Sequence, residues 1–280
     1  MTQTRSPAVA GQFYAGSEAA LREQIESAFE HAIGPGTIPS EAAGMDLPNG
    51  LVSPHAGYPY SGPVAAHGFS RLAKGGRPSA AIIIGPNHSG HGEPIAISEA
   101  EAWETPLGTV PVHDGIRWDL SDEYGLSLDE ATHGAEHSLE VQVPFLQYLY
   151  EEPVPIVPIV MTRQDSARVR QLATALTRVL EKWDSVVLIA STDLTHYESA
   201  SRAKKLDTRI REAIEGMEAE AILEAAESGH TMCGPGPTAT VLKATKAAGA
   251  TDASVLQYAT SGDTAGGTDS VVGYVSATIE

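Results

Sequence analysis

Three short apolar runs in this chain each stop at a turn that carries a histidine. Leu51-Val-Ser-Pro-His-Ala-Gly-Tyr-Pro-Tyr-Ser-Gly62 sets His55 just past Leu51 and Val52. Ala80-Ala-Ile-Ile-Ile-Gly-Pro-Asn-His88 sets His88 past a second run, with Asn87 beside it as a hydrogen-bond donor for a ligand. Ser185-Val-Val-Leu-Ile-Ala190 empties into Ser191-Thr-Asp-Leu-Thr-His196-Tyr, which adds Asp193 and His196. A side chain at a strand end is fixed by the strand and left open by the turn, a geometry suited to binding. The one cysteine, Cys233, lies in Met232-Cys-Gly-Pro-Gly-Pro237, a turn expected to lead into a helix. A helix N-terminus lowers a thiol pKa and favours the thiolate. The alternative for a lone cysteine is a buried, inert thiol.

Two neutral imidazoles and a thiolate suit iron(II), copper or zinc and disfavour magnesium and calcium. His55, His88 and Cys233 are therefore candidate ligands. They must converge through the fold, because the chain has no Cys-x-x-Cys or His-Glu-x-x-His spacing. Asp193 and His196 suit acid–base or hydrogen-bonding work beside an open metal position. Asp193 could instead cap the next helix. Two further readings use the same residues. One is a Cys-His-Asp hydrolase with Cys233 as nucleophile and His196 as base. The other is a non-enzymatic binding module that reuses the crevice. His137 and Glu140 stand three apart in a segment read as mainly helical, so both can point the same way from its first turn. Pro144 should kink that helix or start a later one.

The elements that must position these groups alternate between strand and helix. The continuous apolar runs are those of strands buried on both faces. A helix capped by Ser17 runs to about Ala32, and another with an apolar stripe from Val169 to Trp183 follows Asp165 or Ser166. A hairpin is expected between residues 93 and 113 around Pro106-Leu-Gly108, with Pro111 on an edge. Ala253 to Ala259 and Ser270 to Thr278 read as closing strands. The pattern predicts one domain over 1–280, a three-layer α/β/α fold with a mostly parallel or mixed central sheet.

Composition narrows the function classes. Thirty-six acidic against 18 basic residues give a net charge of −18, which disfavours nucleic acid and anionic membranes as partners. No apolar run spans a bilayer and no secretory signal opens the chain. A single cysteine precludes an internal disulfide and fits a cytoplasmic protein. The partner expected is a small-molecule or peptide ligand of unknown identity.

Ser-Pro-His-Ala-Gly-Tyr, Gly-Pro-Asn-His, Glu-His-Ser-Leu-Glu-Val-Gln, Ser-Thr-Asp-Leu-Thr-His-Tyr and Met-Cys-Gly, in this order, resemble the Memo family. Its bacterial and archaeal members are called AmmeMemoRadiSam system protein B. The resemblance implies a fold like that of class III extradiol dioxygenases, which use non-haem iron(II). It implies that His55, His88 and Cys233 bind the metal, with Asp193 and His196 beside it and His137 and Glu140 nearby. Asn87 and Tyr58 are taken as further lining of that pocket. In the dioxygenases the third ligand is a glutamate, where this chain has Cys233. A thiolate changes the metal's charge and potential, so the change argues against simple ring cleavage. Animal members are described as binding phosphotyrosine peptides, a role not carried over to a chain this acidic, and a copper-dependent oxidase activity has been proposed for the family. The resulting expectation is a metal-dependent redox protein using iron or copper, with zinc a third option.

Overall fold

The computed structural model describes residues 4–41 and 46–280. The chain opens with β1 (Thr4–Arg5), α1 (Glu18–Glu30), β2 (Gly50–Ser53), α2 (Tyr58–Gly75) and β3 (Ala80–Pro86). Then come β4 (Ile95–Ile97), the hairpin β5 (Ala102–Thr105) and β6 (Gly108–Pro111), α3 (Asp114–Trp118), β7 (Ser127–Leu128) and α4 (Glu130–His133). The middle holds α5 (Val143–Leu149), β8 (Ile156–Met161), α6 (Ser166–Lys182), β9 (Val186–Ser191) and β10 (His196–Glu198). The chain closes with α7 (Ala200–Glu215), α8 (Ala219–Glu227), α9 (Pro235–Ala247), β11 (Ala253–Thr260), α10 (Ser261–Thr264) and β12 (Val271–Ile279).

The main sheet runs in the order β10-β12-β2-β9-β3-β8-β4-β7, with β11 also paired to β12. Its centre is parallel: β2 pairs with β9, β9 with β3, and β3 with β8. Antiparallel strands flank that centre, β12 against β2 and β4 against β8. This is the mixed sheet of an α/β protein.

Alternation along the central strands explains their unbroken apolar runs. Val52, Ile82, Ile84 and Leu188 face one core with the inner sides of α6, α7, α8 and α9. Leu51, Ala81, Ile83, Val187 and Ile189 face the other core with α1, α2 and α5. Helices thus cover both faces, so either side chain parity must be apolar. The parallel register pairs Ser53 with Ser191 and Ile84 with Ala190. The C-terminal ends of β2, β9 and β3 therefore open on one edge, where crevices form in such sheets.

The 136–147 segment departs from expectation. It is not one helix: a 3-10 turn covers Glu140–Gln142, and α5 starts only at Val143 with Pro144 in its first turn. Pro144 marks a helix start, as its missing N–H and fixed φ allow. No helix of the described residues is long and apolar enough to cross a membrane.

Candidate metal centre

His55 and His88 each stand two residues beyond a strand end, and His137 reaches them from the irregular stretch before the 3-10 turn. One ring nitrogen from each lies within 4.8 Å of the others. The rings of His88 and His137 have centroids 4.4 Å apart, and the His55 ring stands edge-on to both. His55 is buried, whereas His88 is exposed enough to meet solvent. The cluster therefore forms an open-topped seat.

Hydrogen bonding decides which nitrogens face inward. Ser191 Oγ donates to the Ser138 carbonyl at 2.6 Å and accepts from Gln142 Nε2 at 2.9 Å. Its one hydrogen is thus used, so His55 Nδ1, 2.8 Å away, must be a donor to it. That leaves Nε2 of His55 as an acceptor lone pair facing Cys233 Sγ. At His88, Nδ1 lies 2.9 Å from Glu136 Oε1, while Glu136 Oε2 accepts from the His88 backbone N–H. A carboxylate on Nδ1 fixes the ring and exposes Nε2, the arrangement that metal-binding histidines use.

Electrostatics keeps the His55 and His137 rings uncharged. Burial, and then the neighbouring His137 and His88, hold His55 well below the usual histidine range. Burial followed by the His88 charge lowers His137 to about 4. Burial opposes ionisation of Glu136, yet hydrogen bonds from His88 and Ser138 outweigh it and hold the carboxyl down to about 2. Neutral, crowded imidazoles with inward lone pairs are what a metal ion requires of its ligands.

Cys233 lies against this group. Its Sγ is 3.1 Å from His55 Nε2 and accepts the Asp193 N–H at 3.1 Å. The sequence-based expectation of a favoured thiolate is corrected here. Burial, and then the Asp193 charge, push the thiol well above its ordinary value when no cation is present. Asp193 Oδ1 accepts the His55 N–H at 2.8 Å, and burial raises its carboxyl to about 6. His196 donates from Nδ1 to the carbonyls of Leu194 and Thr231. The imidazole touching the sulfur is His55, and no Cys233–His196 hydrogen bond, which the alternative hydrolase reading would use, occurs among the described residues.

Several expected pocket residues do other work. Glu140 is fully buried and turned to the N-terminal segment, accepting from Arg5 at 2.7 Å, Ala8 N, Val9 N and the Tyr14 hydroxyl. It parts company with His137, which turns to His55 and His88 although one helical bond, Val141 N–H to the His137 carbonyl, spans the stretch. Tyr58 is a core residue whose hydroxyl donates to the Val141 carbonyl. Asn87 spends its amide on His91 O and Thr162 Oγ1, and its carbonyl oxygen organises the 89–90 turn. Glu136, Ser191 and Gln142 were missed from sequence. Glu136 adjoins His137 in its motif, a signal that helical spacing diverted to Glu140. The other two are reached only through the fold. Phe13 packs 4.5 Å from the His137 ring, which brings the N-terminal aromatic loop to the crevice.

Comparison with known proteins places these residues in context. The family described as Memo-like protein matches residues 5–278. A MEMO1 family protein of Thermotoga maritima is 46% identical over 277 residues, covering 98% of each chain. One from Methanopyrus kandleri is 44% identical over 275 residues, covering 97% of each. Among solved structures, an uncharacterized protein from Escherichia coli K12 shares the fold with a TM-score of 0.54 at 13% identity, covering 82% of this chain and 99% of its own.

Proposed function

The chain belongs to the Memo family, and on that premise we propose that it is a metal-binding protein whose ion is held by His55, His88 and Cys233, with His137 beside them. The observation that carries this reading is the convergence of ring nitrogens at 4.8 Å or less, two of them presented as lone pairs by Ser191 and Glu136. Cys233 fits as the third donor. Its 3.1 Å separation from His55 Nε2 is one that bonds of about 2.0 Å to nitrogen and about 2.3 Å to sulfur can bridge. Imidazole and thiolate donors select iron, copper or zinc. A bound ion of that kind would supply Lewis acidity or a redox couple for a dioxygenase-like role.

The chain's own residues do the rest. Ser191 and Glu136 orient the rings. Asp193, buried and raised to about 6, holds or releases a proton next to the sulfur near neutral pH. His196, tied through Nδ1, offers Nε2 as its acid–base partner at the rim.

Metal content of protein purified without chelator tests the reading. The parent should carry about one ion per chain, His55→Ala none, and His196→Ala most of it. Cys233→Ser should bind much more weakly, while Cys233→Glu, which rebuilds a two-histidine, one-carboxylate set, should favour iron(II). If His137→Ala empties the site and Cys233→Ser leaves it full, the ion is held by three imidazoles and the thiolate assignment is wrong.

The Cys233–His55 contact favours one competing reading, a thiol hydrolase with His55 as base. It predicts rapid alkylation of the metal-free protein and turnover of thioester or amide probes without metal. The upward push on the thiol opposes that activation.

A further inference from the structure

We infer that the pocket between α7 and the loop following α8 is a second ligand site, for a small soluble phosphate-bearing anion. The charge of the chain makes this region exceptional. Basic residues number 18 against 36 acidic ones, yet α7 alone carries Arg202, Lys204, Lys205, Arg209 and Arg211. Lys204 is engaged with Asp263 at 3.1 Å, and Arg211 lies over the Tyr258 ring. Arg202, Lys205 and Arg209 share the remaining face, at spacings of three and four. They line a pocket of about 370 Å³, within the size range of small-ligand sites.

The positive charge there is only partly spent. Glu198 holds Arg202 at 2.9 Å, Glu224 reaches Arg209 at 3.8 Å, and Lys205 has no ion pair among the described residues. Set against the carboxylates of Glu198 and Glu224, the three cations leave one positive charge, that of Lys205, unspent at the pocket. Arginine forks and a lysine in one concave site match phosphate oxygens by charge and geometry. The overall charge of −18 repels nucleic acids and phosphorylated surfaces. A small anion can enter because distant carboxylates are screened beyond about 8 Å at physiological salt.

The floor is rigid. His230 lines the pocket with both ring nitrogens occupied, Nε2 donating to Asp207 at 3.0 Å and Nδ1 accepting the Met232 N–H at 3.1 Å. Asp207 is fully buried and also accepts from Thr195 and the Tyr258 hydroxyl. At the rim, Thr231 Oγ1 accepts the His196 N–H at 2.8 Å and its carbonyl accepts from His196 Nδ1 at 3.0 Å. The loop that lines this pocket therefore also holds His196, and Cys233 follows two residues later. Occupancy should be felt at the crevice.

Calorimetric titration of the full chain with inorganic pyrophosphate tests the site. Saturable binding is expected in the parent and in a Lys74→Glu control, which alters an exposed lysine on α2. The Lys205→Glu/Arg209→Glu variant should bind at least tenfold more weakly, since one hydrogen bond to a charged group is worth about that factor. Both positions are exposed, so its thermal transition should match the parent's; the milder Arg202→Gln should give a smaller loss. His196 ring resonances should shift on titration of the parent and stay fixed in the double variant. Equal binding by parent and double variant would place the anion elsewhere, for example at the metal, and overturn the proposal. Binding only to phosphatidic acid vesicles, with none to free pyrophosphate, would overturn it too.

Discussion

Two buried carboxylates near the histidine cluster, Glu140 and Asp193, live by opposite rules. Glu140 is enclosed and saturated: a guanidinium, two backbone N–H groups and a phenol all donate to it. Asp193 is enclosed and under-supplied, with backbone donors and no ion pair among the described residues, and its carboxyl rises to about 6. The first arrangement binds the N-terminal segment to the body. The second leaves a proton in play beside Cys233. Burial alone does not separate architecture from chemistry; the count of donors does.

The sharpest way to break the comparison is Glu140→Ala. Stranding the buried Arg5 charge should cost about 3–5 kcal/mol, read as a lower midpoint in urea, while folded protein still binds metal. If the variant is as stable as the parent but cannot bind metal, the two carboxylates have been assigned the wrong way round.

Asp193→Asn sharpens the other side. In metal-free protein the Asp193 carboxyl is raised from 3.8 to about 6, so between these values the folded state holds a proton that the unfolded state has lost. Its favourable contribution is full below 3.8 and is lost as pH rises through 6. The parent should thus lose up to about 3 kcal/mol relative to Asp193→Asn from pH 4 to pH 7. A pH-independent difference would show that Asp193 is as settled as Glu140. His137, lowered to about 4, works in the opposite sense, adding stability as pH climbs toward 6.5, which is why the difference between variants is the quantity to measure.

Glu136→Gln should leave the fold intact and weaken metal binding by about 10–100-fold, the usual effect of removing a carboxylate behind a ligating histidine. Smallest of all, Tyr14→Phe removes one of four donors to Glu140 and should cost about 1 kcal/mol, with metal affinity unchanged.

Much of this was legible in the sequence. Ala80–Ile84 and Val186–Ala190 are apolar at every position because helices cover both faces, and that pattern alone gives the α/β class. His55 and His88 were legible because each follows such a run at once. Proline and glycine announced the β5–β6 hairpin. The stretch from Glu136 to Glu140 was not legible. Helical spacing paired His137 with Glu140, whereas the backbone turns irregularly there and sends Glu136 and His137 to the crevice and Glu140 to Arg5. Nor could the chain order announce Ser191 as the group that sets the His55 tautomer, because that contact spans 136 residues.

The place of β2 in the sheet sets the order in which the molecule is made. This strand lies between β9, which starts at Val186, and β12, which ends at Ile279. Residues 50–53 are synthesised well before either neighbour, β9 or β12. Such distant pairings make folding slow. His55 inherits the delay, since Ser191, Asp193 and Cys233 must all arrive before its ring is aimed. Until those residues are made a nascent chain has no seat for an ion, and Leu51 and Val52 form an unpaired apolar strand, the kind of segment that is prone to aggregate.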